Sequence, residues 1–247
     1  MGHCMIMPGG LQTCQLTLSN VPDSRARPLR SWIGQDCLLC GAQAGGEFLC
    51  GGCAAALPAL TERCPQCALP SPGSAVCGNC LGHPPHFDRT TALWRYEFPC
   101  DMLVRALKYR GWLAVAECFA RRLAAEQLPS AHLLLPMPLH PKRLSARGFN
   151  QALEIARRLA RFTGMRIEAR CALRAKDTRP QTELPYDERA KNVRGAFACR
   201  LDLSGKIVGV VDDVMTTGAT LNELARVLKG AGAARVENIV VARTVPP

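Results

Sequence analysis

Four cysteine pairs dominate the first third of this chain. Eight cysteines lie between Cys37 and Cys80 as four Cys-x-x-Cys pairs, and 9, 10 and 9 residues separate consecutive pairs. Two thiolates on one tight turn can hold one side of a tetrahedral zinc ion, and a second such turn can hold the other side. A unit of about 45 residues buries little core, so metal binding would supply most of its folding free energy. The spacing therefore predicts a double zinc ribbon over residues 37–82.

The predicted zinc ligands divide most simply into two sequential sets of four, although the spacing alone leaves an interleaved arrangement open. They are Cys37, Cys40, Cys50, Cys53, Cys64, Cys67, Cys77 and Cys80. Disulfides are the alternative, but they belong to oxidising compartments. The N-terminal stretch lacks the charged start and apolar run of a secretory signal, and no apolar run approaches the roughly 18 residues that span a bilayer. We therefore expect two structural zinc ions in a cytoplasmic protein without a membrane span.

Charge divides the chain near the same place as cysteine content. Residues 1–90 carry five basic and five acidic residues, whereas residues 91–247 carry 26 basic and 15 acidic ones and account for the whole net charge of +11. Proline and glycine around residues 82–88 disfavour both helix and strand there. We expect a poorly ordered tail over 1–36, then the double zinc ribbon, then a basic body over 90–247.

The basic body alternates between strand-like and helix-like segments. Such alternation predicts an α/β fold with a parallel, doubly wound sheet. The expected strands are 90–96, 132–139, 167–174, 194–200, 206–214 and 236–243, and the expected helices are 101–110, 112–127, 149–162 and 220–229.

Residues 207–220, IVGVVDDVMTTGAT, are the most informative stretch. A buried strand, Ile207 to Val211, is followed by two acids, a loop of small residues and the start of a helix. Ligands of open α/β sheets bind at the carboxyl ends of strands, and a small-residue loop that opens a helix suits a phosphate. Two neighbouring carboxylates can accept hydrogen bonds from a vicinal diol. Together these features predict a site for a phosphorylated ribose.

The chain resembles the ComF family, whose members join a cysteine-rich zinc ribbon to a type I phosphoribosyltransferase domain with a Rossmann-like parallel sheet. VVDDVMTTGAT is similar to the motif that binds phosphoribosyl pyrophosphate (PRPP) in those transferases. The likeness covers residues 37–244 and includes the cysteine pairs, LVRALKYRG (103–111), PMPLHPKRLSARGFNQ (136–151), TRPQTELPYDERAKNVRGAF (178–197) and AGAARVENIVVAR (231–243).

The resemblance implies a role for each of several residues. Asp212 and Asp213 would be the catalytic pair that holds the ribose 2′ and 3′ hydroxyls. Arg143 and Arg147 follow the proline turn and would meet the diphosphate, and Arg179 would lie in a hood over the substrate. The loop that would cradle the 5′-phosphate consists of Thr216, Thr217, Gly218, Ala219 and Thr220.

Two functions remain open at this point. One is an Mg²⁺-dependent phosphoribosyltransferase that displaces diphosphate from PRPP. The other is a module that binds PRPP as a regulator and contacts single-stranded DNA or proteins of the competence machinery, because the family is associated with DNA uptake. Residues 142–194 carry 14 basic and 6 acidic residues, enough for a phosphate-backbone footprint. The helix 149–162 would place Arg157, Arg158 and Arg161 on its exposed side.

Overall fold

The computed structural model describes residues 35–177 and 188–246. The tail expected over 1–36 lies outside these residues except for its last two. Of these, Asp36 forms an antiparallel bridge with Gln43 and so belongs to the first ribbon. None of the described helices is long and apolar enough to cross a membrane.

Each ribbon is built around two cysteine turns. Short bridges frame the first turn of each ribbon, Asp36 with Gln43 and Arg63 with Pro70. The second turn of each leads directly into a short helix, α1 (Gly51–Ala55) or α2 (Gly78–Gly82). In both ribbons the second cysteine turn is therefore also the start of a helix.

The body is the expected α/β fold. Four parallel strands form its main sheet in the order β1-β6-β5-β2. The elements, in chain order, are β1 (Arg89–Arg95), α3 (Cys100–Arg110), α4 (Leu113–Ala124), β2 (Leu133–Pro136), α5 (Pro141–Arg147), α6 (Gln151–Thr163), β3 (Ala172–Arg174), α7 (Glu188–Val193), β4 (Phe197–Cys199), β5 (Ile207–Met215), α8 (Ala219–Gly230) and β6 (Arg235–Arg243).

The strands expected at 167–174 and 194–200 form only in part, and Ile167 joins the main sheet through an isolated parallel bridge to Leu134. They shorten to β3 and β4, which pair with each other in antiparallel fashion from Ala172–Cys199 to Arg174–Phe197. Each of these two strands is three residues long. Helix α5, which was not among the expected helices, begins directly after the proline-rich turn.

Strand β5 ends at Met215, one residue beyond the expected 206–214, and includes both acids after its buried run from Ile207 to Val211. Strand β2 stops at Pro136, opposite Val211, because the following prolines remove backbone donors. Strand β6 continues on the other side, where Asp212 pairs with Val240 and Met215 pairs with Arg243. The acids thus lie where β5 has a neighbour on one side and an open cleft on the other.

The two ribbons pack on opposite faces of the sheet. Phe48, Leu49 and Leu57 of the first ribbon join the buried cluster that contains α3, α4 and α6. Leu60 and Ala68 of the second ribbon join the cluster that contains α8. Burying a side chain of this size contributes about 1.5–3 kcal/mol, so the ribbons and the body stabilise each other.

The ribbon segment also covers the outer edge of β1. Pro58 accepts a hydrogen bond from the Arg95 amide at 2.8 Å, Pro65 accepts one from the Thr90 amide at 3.0 Å, and Ala59 bridges to Trp94. The Arg63 guanidinium donates to the carbonyl of Ala92 at 2.7 Å. The metal-binding unit therefore covers the outer edge of the parallel sheet in the manner of a short fifth strand.

Candidate functional site: cysteine clusters and a ligand cavity

The eight cysteines form two clusters of four in sequential order. Within each cluster the sulfur atoms lie within 4.8 Å of one another. The Cys40 and Cys50 sulfurs are 3.7 Å apart and the Cys67 and Cys77 sulfurs are 3.6 Å apart, far beyond the roughly 2.05 Å of a disulfide. The disulfide and interleaved alternatives therefore do not describe this structure.

The chemistry of both clusters fits zinc. Backbone N–H groups of Cys67, Cys77 and Gln66 outweigh burial and lower the pKa of the Cys64 thiol to about 7, which favours the thiolate. Hydrogen bonds with Cys40 and Cys50, then burial and the charge of Cys37, raise the pKa of Cys53 to about 12. Four neighbouring thiolates repel one another, and a shared dication such as tetrahedral Zn²⁺, which binds four cysteine thiolates in structural sites, removes that repulsion.

A cavity of about 200 Å³ opens at the carboxyl end of β5; we call it the ligand cavity. The structure brings seven of the expected ligand residues together in its wall: Asp212, Asp213, Thr216, Gly218, Thr220, Arg143 and Arg147. Thr217 and Ala219 instead line an adjoining cavity shared with the second ribbon. Arg179 lies outside the described residues.

Gly218 shapes the loop between β5 and α8. Its φ of +83° is left-handed, and a Cβ there would lie 2.6 Å from the Met215 Cε. Glycine is the residue that takes this conformation without strain. The turn lets α8 begin at Ala219, while the Thr217 hydroxyl accepts a hydrogen bond from the Ala219 amide at 3.2 Å.

The proline turn and α5 form the opposite wall. Met137 donates its amide to the carbonyl of Val211, and the Asn150 side chain donates to the carbonyl of Met137 at 3.0 Å. Arg147 donates to the Gln151 side chain at 2.7 Å and lies 5.8 Å from the centre of the Tyr109 ring. Main-chain and side-chain contacts thus fix the turn and its arginine beside the acids.

The acids themselves are closely packed. Asp212 accepts the amide of Asp213 at 2.9 Å, and Asp213 accepts the amide of Val214 at 2.8 Å. Burial and the charge of Asp213 raise the pKa of Asp212 to about 8, although Lys108 acts in the opposite direction. A ligand that donates hydroxyl groups to this pair would relieve the desolvation that burial imposes.

Two cations of the ligand cavity were missed by sequence reasoning. Lys108 reaches it from α3, and the almost fully buried Arg174 reaches it from β3. Burial and the charge of Arg143 lower the pKa of Arg174 to about 10. Lys108 lies within a segment that resembles the family, LVRALKYRG, which was the one available signal. Nothing local marked Arg174, because it reaches the cavity only through the tertiary fold.

Arg243 connects the second ribbon to the phosphate loop. Its buried guanidinium donates to the carbonyl of Cys67 at 2.8 Å, to that of Met215 at 3.0 Å, and also to that of Thr216. A further hydrogen bond reaches the carbonyl of Thr244 at 2.7 Å. A cysteine turn and the ligand loop therefore share one buried cation.

The arginines of α6 are paired with acids, which corrects one expectation. Arg158 contacts Glu154 at 2.6 Å and its side chain is only 17% exposed, so it does not lie on the exposed side of the helix. Arg157 contacts Glu154 at 2.9 Å, and Arg161 contacts Glu117 at 2.6 Å. The basic segment is partly neutralised by its neighbours in space.

Comparison with known proteins agrees with this architecture. Residues 29–81 match the family described as double zinc ribbon domain, and residues 146–244 match the phosphoribosyl transferase domain. The chain therefore combines a double zinc ribbon with a phosphoribosyltransferase-type domain.

Similarity extends over most of the chain. It is 34% identical over 206 residues to the DNA utilization protein YhgH of Salmonella typhimurium, covering 80% of this chain and 91% of that one. It is 28% identical over 201 residues to competence protein F of Haemophilus influenzae, covering 76% and 87%. This protein belongs to the ComF family. The PRPP amidotransferase structure from B. subtilis is 21% identical, with a TM-score of 0.36 over 51% of this chain and 25% of that one.

Proposed function

We propose that this protein binds PRPP, together with Mg²⁺, in the ligand cavity. The observation that carries the proposal is the meeting of Asp212 and Asp213, the loop at Gly218, and Arg143 and Arg147 in one cavity wall. Carboxylates suit the ribose hydroxyls, the loop before a helix suits the 5′-phosphate, and guanidinium groups suit the diphosphate. Arg179 remains part of the proposal as a residue of the hood.

This arrangement is suited to displacement at the anomeric carbon. The bond from that carbon to diphosphate would break, and a bond to an acceptor nucleophile would form. Positive charge would develop on the ribose near Asp212 and Asp213, and negative charge on the diphosphate near Arg143 and Arg147. Preorganised groups of opposite sign stabilise such a transition state. Mg²⁺ would arrive with the ligand and keep several waters, as it does with other phosphate ligands.

Thermal denaturation tests the binding proposal. PRPP with Mg²⁺ at about 100 times its Kd stabilises the native state by roughly 2.7 kcal/mol, which corresponds to several degrees at about 2–4 °C per kcal/mol. The double variant Asp212→Asn, Asp213→Asn should lose this shift, whereas Asp202→Asn, at an exposed position, should keep it. A full shift in the double variant would contradict the proposal. Diphosphate release with a panel of acceptors then separates turnover from binding.

A second candidate function is binding of single-stranded DNA in the cytoplasm, as part of DNA uptake or use. The names of the ComF relatives point this way, and one set of exposed side chains favours it. Phe98 precedes α3, Tyr109 lies in its last turn and Trp112 follows it, and all three are exposed; we call them the aromatic group. Arg110 lies 5.7 Å from the Trp112 ring. Aromatic rings with neighbouring arginines are the elements on which unpaired bases stack.

Salt-dependent binding of an oligonucleotide tests this second function. Stacking contributes about 1–3 kcal/mol per base, so Phe98→Ala with Trp112→Ala should weaken binding by at least about fivefold. Leu201→Ala, which removes an exposed apolar side chain that has no ring, is the control and should change little. Log affinity should fall with log salt by about 0.7 per phosphate contacted. No binding at about 50 mM salt would refute the proposal.

A further inference from the structure

Lys108 places a cation against the acid pair of the ligand cavity. Its ammonium nitrogen lies 2.7 Å from Asp213 Oδ2, and its side chain is 20% exposed. The other oxygen of Asp213 accepts the amide of Val214. Both carboxylate oxygens of Asp213 are therefore held, one by the backbone of β5 and one by a side chain of α3. Holding a ribose hydroxyl, which is the role proposed for Asp213, does not by itself require a lysine against its carboxylate.

The surroundings of this pair carry charge of both signs. Other titratable or charged side chains that line the cavity are Tyr96, Tyr109, Arg143, Arg147, Arg174 and Asp212. The three arginines come from α5 and β3, whereas Lys108 comes from α3 and contacts Asp213 directly. Arg143 and Arg147 are the residues expected to meet the diphosphate, so the role of Lys108 differs from theirs.

The positive charge of Lys108 offsets the repulsion between the two acids. Two adjacent carboxylates in a partly buried site oppose each other's ionisation. Burial and the charge of Asp213 raise the pKa of Asp212, and the charge of Lys108 lowers it. Burial works against the charged form of Lys108, but the charge of Asp213, its hydrogen bond and the charge of Asp212 outweigh burial and raise the pKa of Lys108. Lys108 thus stays cationic over the whole range in which Asp212 titrates.

We propose that Lys108 is a positioning residue, which fixes the Asp213 carboxylate and supplies the charge that allows both acids to be ionised when a ribose diol binds. This inference rests on the proposed function of the cavity. It deepens that function by making ligand affinity depend on a residue of α3 that need not contact the ligand. It also differs from a purely structural ion pair, which would affect affinity equally at every pH.

The test is the pH profile of PRPP binding by isothermal titration calorimetry from pH 6 to 9.5. Lys108→Met keeps the length of the side chain and removes its charge, and Lys108→Arg keeps the charge. Arg105→Met removes an exposed charge from the same helix as the matched control. Titration of PRPP itself is common to all variants and cancels in the comparison.

Affinity should fall at low pH, where an acid of the pair becomes protonated; we call the pH at which this fall begins the acid limb. In Lys108→Met the acid limb should lie about one pH unit higher, which gives a roughly tenfold loss of affinity below it. Affinity should recover towards wild type at the alkaline end. Lys108→Arg should restore the wild-type limb, and Arg105→Met should not move it. An unchanged limb in Lys108→Met, or an equal loss at every pH, would overturn the proposal.

A second measurement separates this inference from the proposed function. If wild-type protein binds no PRPP, the proposed function fails, but the carboxyl ¹³C signal of Asp212 can still be titrated in the free protein and identified with Asp212→Asn. Lys108→Met should shift that titration to higher pH. A signal that titrates as in wild type would overturn the inference by itself.

Discussion

Replacing Arg243 with methionine should destabilise the protein far more than the loss of an ordinary surface arginine. The substitution removes the donors to the carbonyls of Cys67, Met215, Thr216 and Thr244. The Met215 carbonyl keeps one partner, because the Thr244 amide donates to it at 3.0 Å. The main cost therefore comes from the carbonyls of Cys67, Thr216 and Thr244.

The size of the effect follows from those carbonyls. A buried acceptor left without its partner costs about 1–3 kcal/mol, and hydrogen bonds to charged donors contribute at the upper end of the usual range. We expect a loss of about 3–5 kcal/mol, which is a large part of the 5–15 kcal/mol typical of a folded domain. Arg243→Lys keeps the charge but not the fork of donors, so it should fall between wild type and Arg243→Met.

Urea unfolding at a fixed zinc concentration measures this loss. Arg89→Met, an exposed arginine at the start of the neighbouring strand β1, is the control and should lose less than about 0.5 kcal/mol. PRPP binding by folded Arg243→Met should also weaken, since the loop at Thr216 loses its anchor. A loss below about 1 kcal/mol for Arg243→Met would refute the reasoning.

Three further predictions concern zinc, the ligand loop and pH. Elemental analysis of protein purified without chelator should find two zinc ions per chain, and a metal-free chain with disulfides would contradict the assignment. Gly218→Ala should cost about 1–2 kcal/mol, because a left-handed φ strains any other residue, while Gly230→Ala, which has open space at its Cβ, should be neutral in the same unfolding assay. Stability of the free protein should decrease as pH rises from about 4, the unfolded pKa of an aspartate, towards 8, since the raised pKa of Asp212 makes its ionisation costlier in the folded state. Asp212→Asn should remove that part of the slope in melting curves, and an unchanged slope would refute it.

Regular spacing and hydrophobic pattern made most of the architecture predictable. The four cysteine pairs predicted both clusters, and apolar runs predicted β1, β5 and β6 within a few residues. Helix α8 begins one residue before its expected start, because Gly218 ends the loop in a left-handed conformation. These features are local, so they can be read from neighbouring residues.

The remaining features depend on contacts between distant segments. Lys108 and Asp213 are far apart in sequence, and no periodicity links them. The pairing of Arg158 and Arg161 with Glu117 arises because α4 and α6 pack together, which a count of charges along 142–194 cannot show. Strands β3 and β4 likewise pair residues that are distant in sequence, from Ala172 with Cys199 to Arg174 with Phe197, and no local pattern in either segment predicts this pairing.

The ribbon segment that covers β1 has a consequence for solubility. An uncovered strand edge offers its backbone to other chains and is a starting point for aggregation. Pro58, Ala59 and Pro65 protect this edge. Two of the three lie between the cysteine clusters, so we expect their placement to depend on bound metal. Chelation should therefore uncover β1 and drive the chains to associate through their sheets before the body itself unfolds.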